Sequence, residues 1–214
     1  MKANNIAEGI NNSKLRFKKL VSSTSIGSAV SLRAAMLPLP NIEPVMLFTL
    51  AGALVYGPLY GFFIGFMAMA ISDIIIKIAG VWTIYTAISY GLVGFAAGLI
   101  GILKPGIKKS RASIVLLAFT LTIIYDIMTT AAWAFSFMVP LPVAFVSLIP
   151  FSLIHVAGNC ALAFIFAPSI IGFMSRVSEP SASSGLFKKV SAARRYVLEG
   201  ITGIYRAKET KTST

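Results

Sequence analysis

Acidic residues, cysteine and histidine are all scarce in this chain of 214 residues. It holds 7 Asp and Glu against 19 Lys and Arg, with one cysteine and one histidine. The single cysteine, Cys160, can form no disulfide within the chain, and one cysteine with one histidine cannot build a Cys/His zinc site. Charged residues make up only 12% and hydrophobic residues 57%, which leaves too little polar surface for a water-soluble globule. The sequence therefore predicts a protein whose solvent is lipid.

Motifs of the common enzyme classes are missing as well. The chain contains no G-x-x-x-x-G-K-[ST] phosphate loop, no G-x-S-x-G elbow and no H-E-x-x-H pair, so we expect no enzyme, no cofactor and no metal. An intramembrane transferase that uses Asp126 and His155 is left open. The net charge of +12 raises the question of nucleic acid, but membrane topology accounts for the basic residues, and no nucleic-acid partner is expected.

The basic residues fall into three groups separated by even numbers of apolar segments. Because Lys and Arg near span ends resist translocation, one side of a membrane should hold all three groups. This predicts an all-α, polytopic protein of the cell (plasma) membrane, a six-transmembrane-helix bundle with both termini cytoplasmic. The groups take in all of the 19 Lys and Arg except Arg33 and Lys77, and they are Lys2, Lys14, Arg16, Lys18 and Lys19; Lys104, Lys108, Lys109 and Arg111; and Arg176, Lys188, Lys189, Arg194, Arg195, Arg206, Lys208 and Lys211.

The length of a membrane span sets the expected boundaries along the chain, since a helix needs about 20 residues to cross a hydrocarbon core of about 30 Å. We expect a basic cytoplasmic segment (1–20), a membrane domain (21–174) and a cytoplasmic linker plus basic amphipathic tail (175–214). The tail should lie on lipid headgroups, with an ATPase contact as the alternative. A signal peptide at the start is disfavoured by Arg33 in its apolar part. The predicted spans are 21–37, 44–57 (a short one), 59–77, 82–103, 112–139 and 143–174.

Three short connections face outward in this topology: residues 38–43, 78–81 and 140–142. Two of them share a pattern, Met36-Leu37-Pro38-Leu39-Pro40 and Met138-Val139-Pro140-Leu141-Pro142. Proline ends a helix and stiffens the turn that follows. Whether the pattern is two independent turns or a remote internal repeat, it predicts a stiff outer cap over a binding pocket.

Small residues recur every fourth position on three spans, and such stripes let helices approach closely in lipid. The stripes of the third and fourth spans should pack within the bundle. The stripe of the first span is expected to pack there too or to face another subunit. The stripes are Gly57, Gly61 and Gly65; Gly94 and Gly98; and Gly27, Ser31 and Ala35.

Ionisable residues at membrane depth are few. Placing a charged side chain in the hydrocarbon costs at least about 2.5 kcal/mol, so each one is expected to be paired or to have a function. Near the outer side, Asp73 and Lys77 stand four residues apart and could pair on one helix, while Arg33 could reach Glu43 across the first outer turn. Structural pairing is the simplest role for Asp73, Lys77 and Arg33. Glu43 lies in a loop, where we expect it to be free to face the pocket.

Asp126 and His155 lie near the middle of the fifth and sixth spans, each about 20 Å from the outer turn at 140–142. A carboxylate and an imidazole at matched depth can pair and relieve each other's desolvation cost, and Asn159, one turn further, extends the polar strip. Three roles stay open: an interhelical bond that fixes packing, a proton relay, and the floor of a substrate site. The relay gives the alternative function, a stand-alone proton-coupled secondary transporter.

Aromatic residues cluster near the predicted outer ends of the spans. Trp82, Tyr85, Tyr90 and Trp133 are typical of an interfacial belt. Some of them could instead line a pocket and stack on a flat ligand, and for Trp82 and Trp133 the two roles are equally expected.

Leu32 to Gly101 resembles the substrate-binding S components of energy-coupling factor (ECF) vitamin transporters. The stretch contains LRAAMLPLPNIEPVMLFTLAGALVYGPLYGFFIGFMAMAISD and then WTIYTAISYGLVGFAAGLIG. The P-N-I-x-P-V element at residues 40–45 and the W-T pair before a Gly-rich helix carry the resemblance together. It implies capture of a vitamin-like small molecule outside, followed by docking onto a transmembrane T component driven by two ABC ATPase subunits.

The resemblance also implies roles for particular residues. Gly27, Ser31 and Ala35 would be the docking stripe, and residues on the last three spans would hold the ligand together with Asn41, Glu43 and Trp82. Relatives often carry Gln where Glu43 stands, which makes the ligand's identity the open point. A cobalamin-like substrate is the expectation from relatives with this motif. The expected ligand-binding residues are Asn41, Glu43, Trp82, Tyr85, Asp126, Trp133, His155 and Asn159.

Overall fold

A computed structural model describes residues 20–39 and 41–178, and these residues form helices with no strand among them. By their internal contacts, the described residues up to Arg176 belong to one compact unit. The basic N-terminal segment, Pro40 and the predicted linker and amphipathic tail from residue 179 onward lie outside the described residues. The helices are α1 (20–35), α2 (Val45–Tyr56), α3 (Pro58–Ile75), α4 (Val81–Leu103), α5 (Arg111–Ser136) and α6 (Leu141–Ser178), with a short 3-10 turn at Ile107–Lys109.

Four of these helices, α3 to α6, are long and apolar enough to cross a membrane, while α2 is a shorter apolar helix. Many large apolar side chains point outward from them, including Leu59, Ile84 and Leu116, each about two-thirds exposed. Such a surface belongs in lipid rather than in water. The chain is therefore an all-helical membrane protein, and the count of six spans and the side of the termini stay predictions.

The shortness of α2 follows from its position at the centre of the bundle. Its 12 residues are apolar on every side, and all but Val55 are buried. A helix that is hydrophobic all round belongs in a core. The other helices surround α2, so it needs neither a lipid-facing stripe nor the full thickness of the membrane.

Turn residues set the helix ends as the sequence predicts. Gly57 ends α2 with φ of +98°, a conformation that L side chains avoid, and Pro58 occupies the first turn of α3. Lys77 and Met138 have φ of 59° and 55° just beyond α3 and α5. The fifth helix therefore stops at Ser136, before the predicted residue 139. The sixth runs on to Ser178 with Pro150 and Pro168 inside it, as proline is tolerated in membrane helices.

The glycine stripes of α3 and α4 pack within the bundle, as predicted, and the structure shows that they face each other. A Cβ added to Gly61 would lie within 3.0 Å of the Gly94 carbonyl, and one added to Gly94 would meet the Gly61 carbonyl equally closely. Gly65 faces the backbone of Tyr90 and Gly98 that of Pro58 in the same way. The two helices therefore touch backbone to backbone from Tyr90 to Gly98 of α4.

Candidate functional site

Three connections meet at one end of the bundle: residues 36–39 with 41–44, 76–80 and 137–140. We call this the cap end. The starts of α4 and α6 and the end of α5 gather there around a cavity of about 330 Å³. We call it the Trp cavity, after Trp82 and Trp133 in its wall. Its other lining residues are Tyr85, Thr86, Thr129, Thr130, Ala144, Ser147, Leu148 and Phe151.

Trp82 and Trp133 line this cavity while exposing 41% and 40% of their surface. The Trp82 ring lies over Gly80, where an added Cβ would come within 3.0 Å of it. Glycine at position 80 therefore leaves the space in which the indole sits. Tyr85 adds a third ring, and its buried hydroxyl has no hydrogen-bond partner among the described residues. Together these groups present flat apolar faces and one open polar atom.

A second cavity of about 200 Å³ adjoins the first and shares Thr129, Leu148 and Phe151 with it. We call it the carboxylate cavity, because the carboxylates of Glu43 and Asp126 lie in its wall. The remaining lining residues are Asn41, Tyr125, Ser152 and His155. The pair of cavities forms one site, apolar and aromatic on one side and polar on the other.

The predicted pair of Asp126 and His155 forms at this polar side. Nδ1 of His155 lies 2.7 Å from Oδ1 of Asp126, and Ser152 donates its hydroxyl to the other carboxylate oxygen. A carboxylate only accepts, so Nδ1 carries the proton. Nε2 of the 6% exposed His155 has no partner among the described residues. The imidazole therefore keeps one nitrogen open for a further hydrogen bond.

Asn159 extends the polar strip as predicted, but not into the cavity. Its amide donates to the hydroxyl of Thr122 at 3.2 Å, and its Oδ1 lacks a partner among the described residues. It is 2% exposed and lines neither cavity. Its geometry ties α5 to α6, and a direct contact with a ligand stays a prediction.

Arg33 joins the two acidic residues nearest the cap end. Its Nη1 lies 2.5 Å from Oδ1 of Asp73 and 2.5 Å from the hydroxyl of Ser72, and its Nη2 lies 3.3 Å from Oε1 of Glu43. The predicted approach of Arg33 to Glu43 is confirmed. Asp73 also accepts a hydrogen bond from Thr83 at 2.7 Å.

The predicted pairing of Asp73 with Lys77 is wrong. Lys77 lies past the end of α3 in a left-handed turn, is exposed, and makes no ion pair among the described residues. The helical i,i+4 spacing that would bring the two together does not exist there, because α3 ends at Ile75. The buried Asp73 takes the guanidinium of Arg33 instead.

Glu43 and Asn41 line the carboxylate cavity, but both also hold the loop. Oε2 of Glu43 accepts a hydrogen bond from the hydroxyl of Tyr90 at 3.1 Å, while Oε1 faces Arg33. Glu43 therefore faces the cavity as expected, but both of its oxygens already have partners. Asn41, at φ of 57°, donates to the carbonyl of Phe151 across to α6 at 3.3 Å. The first connection is thereby tied to α1, α4 and α6.

Tyr125 and Ser152 line the carboxylate cavity, and Tyr90 packs behind Tyr125; sequence reasoning missed these roles. Tyr90 is fully buried rather than part of an interfacial belt, and its ring centroid lies 4.2 Å from that of Tyr125. Tyr125 in turn packs edge-on against His155 at 5.6 Å. Ser152 stands one helical turn before His155 and so shares its face. That spacing was the signal that could have revealed it.

The stripe of small residues on α1 faces away from the bundle. Gly27, Ser31 and Ala35 are exposed, and a Cβ added to Gly27 would meet nothing within 4 Å. Arg33 lies on the opposite side of the same helix, 200° from Ser31 by the helical period of about 100° per residue. One helix therefore carries an open stripe outside and the Arg33 contacts inside.

Comparison with known families decides the class of this molecule. Residues 14–170 match the family model of the ECF-type riboflavin transporter S component. The chain belongs to this family. A search of the curated proteins and a search of the solved structures returned no match.

The family extends the resemblance seen in residues 32–101 to most of the chain and confirms it. An ECF-type S component is the substrate-binding subunit of a vitamin transporter in the plasma membrane, a class of transport proteins rather than of enzymes. The apolar helices α3 to α6 agree with that location. The Trp cavity and the carboxylate cavity are the candidate place for the substrate.

Proposed function

We propose that this chain captures a flat, flavin-like vitamin at the cap end and releases it inward after docking onto a T component powered by two ABC ATPases. The observation that carries the proposal is the joined pair of cavities, with Trp82, Tyr85 and Trp133 on one side and Asp126 and His155 on the other. A ligand with a planar ring system and a hydrogen-bonding tail suits that division. Flavins have both parts, and riboflavin is named in the family's description.

Cavity size favours a flavin over the cobalamin-like substrate expected from the sequence. Small-molecule sites span about 300 to 1,000 Å³, and the Trp cavity with about 330 Å³ lies at the lower end. A corrinoid with its nucleotide loop is several times larger than a flavin. The chain would have to open its cap widely to hold one, against the ties of Asn41 and Glu43.

The proposed topology places the cap end outside, with six spans and both termini cytoplasmic. It is supported by the grouping of Lys and Arg along the chain and by the Lys108 and Lys109 turn at the opposite end from the cap. The partner-docking surface in this account is the stripe of Gly27, Ser31 and Ala35. It is open and smooth, as a helix that must approach another backbone closely requires.

A fluorescence titration tests the flavin proposal. Riboflavin added to the purified chain should lose fluorescence as it stacks on the indoles, with saturation at one per chain. Cobalamin should not compete. Trp82→Ala and Trp133→Ala should each weaken binding by about tenfold, since a stacked ring adds up to about 1.5 kcal/mol beyond area burial. Leu116→Ala, at a lipid-facing site, is the matched control. Saturable cobalamin binding without riboflavin binding would contradict the flavin assignment.

A stand-alone proton-coupled transporter is the second candidate, and the open Nε2 of His155 beside the buried Asp126 favours it. In that case the purified chain alone in vesicles would accumulate riboflavin under a pH gradient, and Asp126→Asn would abolish the uptake. An S component without its partners should instead bind riboflavin and accumulate none.

A further inference from the structure

A third cavity lies between the first described turns of α1 and the last turns of α6, with Phe48 of α2 at its back. It has a volume of about 260 Å³ and shares no residue with the Trp cavity or the carboxylate cavity. We call it the α1–α6 groove. The residues that matter below are Val21, Thr24, Ser25, Ser169, Phe173 and Met174.

The walls of the α1–α6 groove suit an apolar occupant. The hydroxyls of Thr24 and Ser25 donate to the carbonyls of Leu20 and Val21 one turn earlier, at 3.0 and 2.7 Å. Both hydroxyls are therefore hydrogen-bonded within α1, and mainly the carbon atoms of these side chains face the groove. Phe173 is 65% exposed, so the groove opens sideways to the lipid rather than into the bundle.

The dimensions of the groove suit an extended chain. A helix with its side chains is about 10 to 12 Å across, so a groove of about 260 Å³ could enclose only some of its side chains. On α1 the groove runs from Val21 to Ser28, a length of about 10 Å by the helical rise. That is shorter than the roughly 15 Å of one half of the hydrocarbon core, so an acyl chain of a neighbouring lipid can fill all of it.

Positive charge lies beside the groove at its membrane-surface end. Arg176, one turn past Phe173, is exposed and makes no ion pair among the described residues. In the sequence, Lys18 and Lys19 stand directly before Leu20, where the described part of α1 begins. A guanidinium at an interface attracts anionic headgroups.

We propose that the α1–α6 groove binds one acyl chain of an anionic phospholipid, with the lipid phosphate at Arg176. The chain packs against Val21, Phe48 and Met174, and the phosphate pairs with a cation that has no partner within the described protein. The site is independent of the cargo site and of the identity of the cargo. It borders the open stripe of α1, since Thr24 and Ser28 lie beside Gly27 on that helix.

Photocrosslinking tests the lipid site. The full chain is reconstituted in phosphatidylcholine vesicles that contain either phosphatidylglycerol or phosphatidylcholine with a diazirine in the headgroup-proximal half of one acyl chain, and the adducts are mapped by mass spectrometry. We expect adducts to concentrate on Val21, Phe48 and Met174. The phosphatidylglycerol probe should react about fivefold more than the phosphatidylcholine probe, the factor for one cation near an anionic surface.

Variants separate the groove from the headgroup contact. Ser169→Phe fills the groove and should remove these adducts, whereas Ala161→Phe, at an exposed position of α6 outside it, should leave them. Thr24→Phe fills the groove from α1 and repeats the test if Ser169→Phe folds poorly. Arg176→Gln should keep the adducts and equalise the two probes. Adducts spread evenly along α6, or equal yields from both probes in the unaltered chain, would overturn the proposal.

Discussion

His155 and Asp126 face each other across α5 and α6, with 2.7 Å between Nδ1 and Oδ1. Both side chains are at least nine-tenths buried, so each depends on the other for most of its polar contact. Breaking a buried pair costs about 3 to 5 kcal/mol because one polar group is left alone. The contact therefore fixes the α5–α6 junction at the floor of the site and also aims the free Nε2.

Asp126→Asn should uncouple the imidazole from its orienting carboxylate. We expect weaker riboflavin binding by tenfold or more and a lower melting temperature. In a double-mutant cycle with His155→Gln, the interaction energy for unfolding should be about 1 to 3 kcal/mol, the range for residues in one network. If the effects of the two substitutions on the unfolding free energy were additive, the observed contact would contribute nothing to stability.

Arg33→Gln should destabilise the protein strongly. It leaves Asp73 and Glu43 facing each other without the cation between them, and the expected loss is about 3 to 5 kcal/mol of unfolding free energy. Lys77→Gln is the matched control, since it also removes one positive charge near the cap end but makes no ion pair among the described residues. Thermal melts of both variants in the same detergent compare them. Equal melting temperatures would contradict the role of Arg33.

Gly94→Ala should separate α3 from α4. The added methyl would push into the Gly61 carbonyl, which is backbone and cannot rotate away. Gly172→Ala is the control, because nothing lies within 4 Å of a Cβ there. We expect a melting temperature several degrees lower for Gly94→Ala and an unchanged or slightly higher one for Gly172→Ala, as Ala favours helix over Gly.

Gly80→Ala should weaken cargo binding without changing the stability of the fold. The new methyl displaces the ring of Trp82, so tryptophan emission should shift and riboflavin affinity should fall about as far as in Trp82→Ala. The melting temperature should hold, since the ring is half exposed. Full affinity in Gly80→Ala would mean that the position of Trp82 does not matter for the cargo.

Gly27→Leu should leave cargo binding intact and prevent assembly with a T component. Leucine at this exposed position blocks close approach of another helix while clashing with nothing in the chain itself. Gly172→Leu places the same bulk on α6. Copurification of T component and ATPases with each variant gives the comparison, and undiminished assembly of Gly27→Leu would place the docking surface elsewhere.

Much of the architecture could be predicted from the sequence, because membrane helices can be recognised by their length and by their apolar composition. The short α2, the Gly57-Pro58 turn and the packing of the α3 and α4 glycine stripes within the bundle all follow from local chemistry. The pairing of Asp126 with His155 could also be predicted, since depth along a helix is a matter of counting.

Other features could not be read from the sequence, because they depend on where a helix ends and on how it is rotated. Asp73 was paired with Lys77 on the assumption of a continuing helix, whereas α3 stops between them. Tyr90 looked interfacial by its position, and only the rotation of α4 buries it against Tyr125. The approach of Arg33 to Glu43 was predicted, but the hydrogen bond from Tyr90 to Glu43 joins elements far apart in sequence and was not.

Native mass spectrometry of the chain released from its own host membrane tests the central claim most directly. We predict one bound small molecule per chain with the mass of a flavin, lost in Trp82→Ala and retained in Leu116→Ala. A chain that emerges empty, and that stays empty when riboflavin is added, would contradict the account.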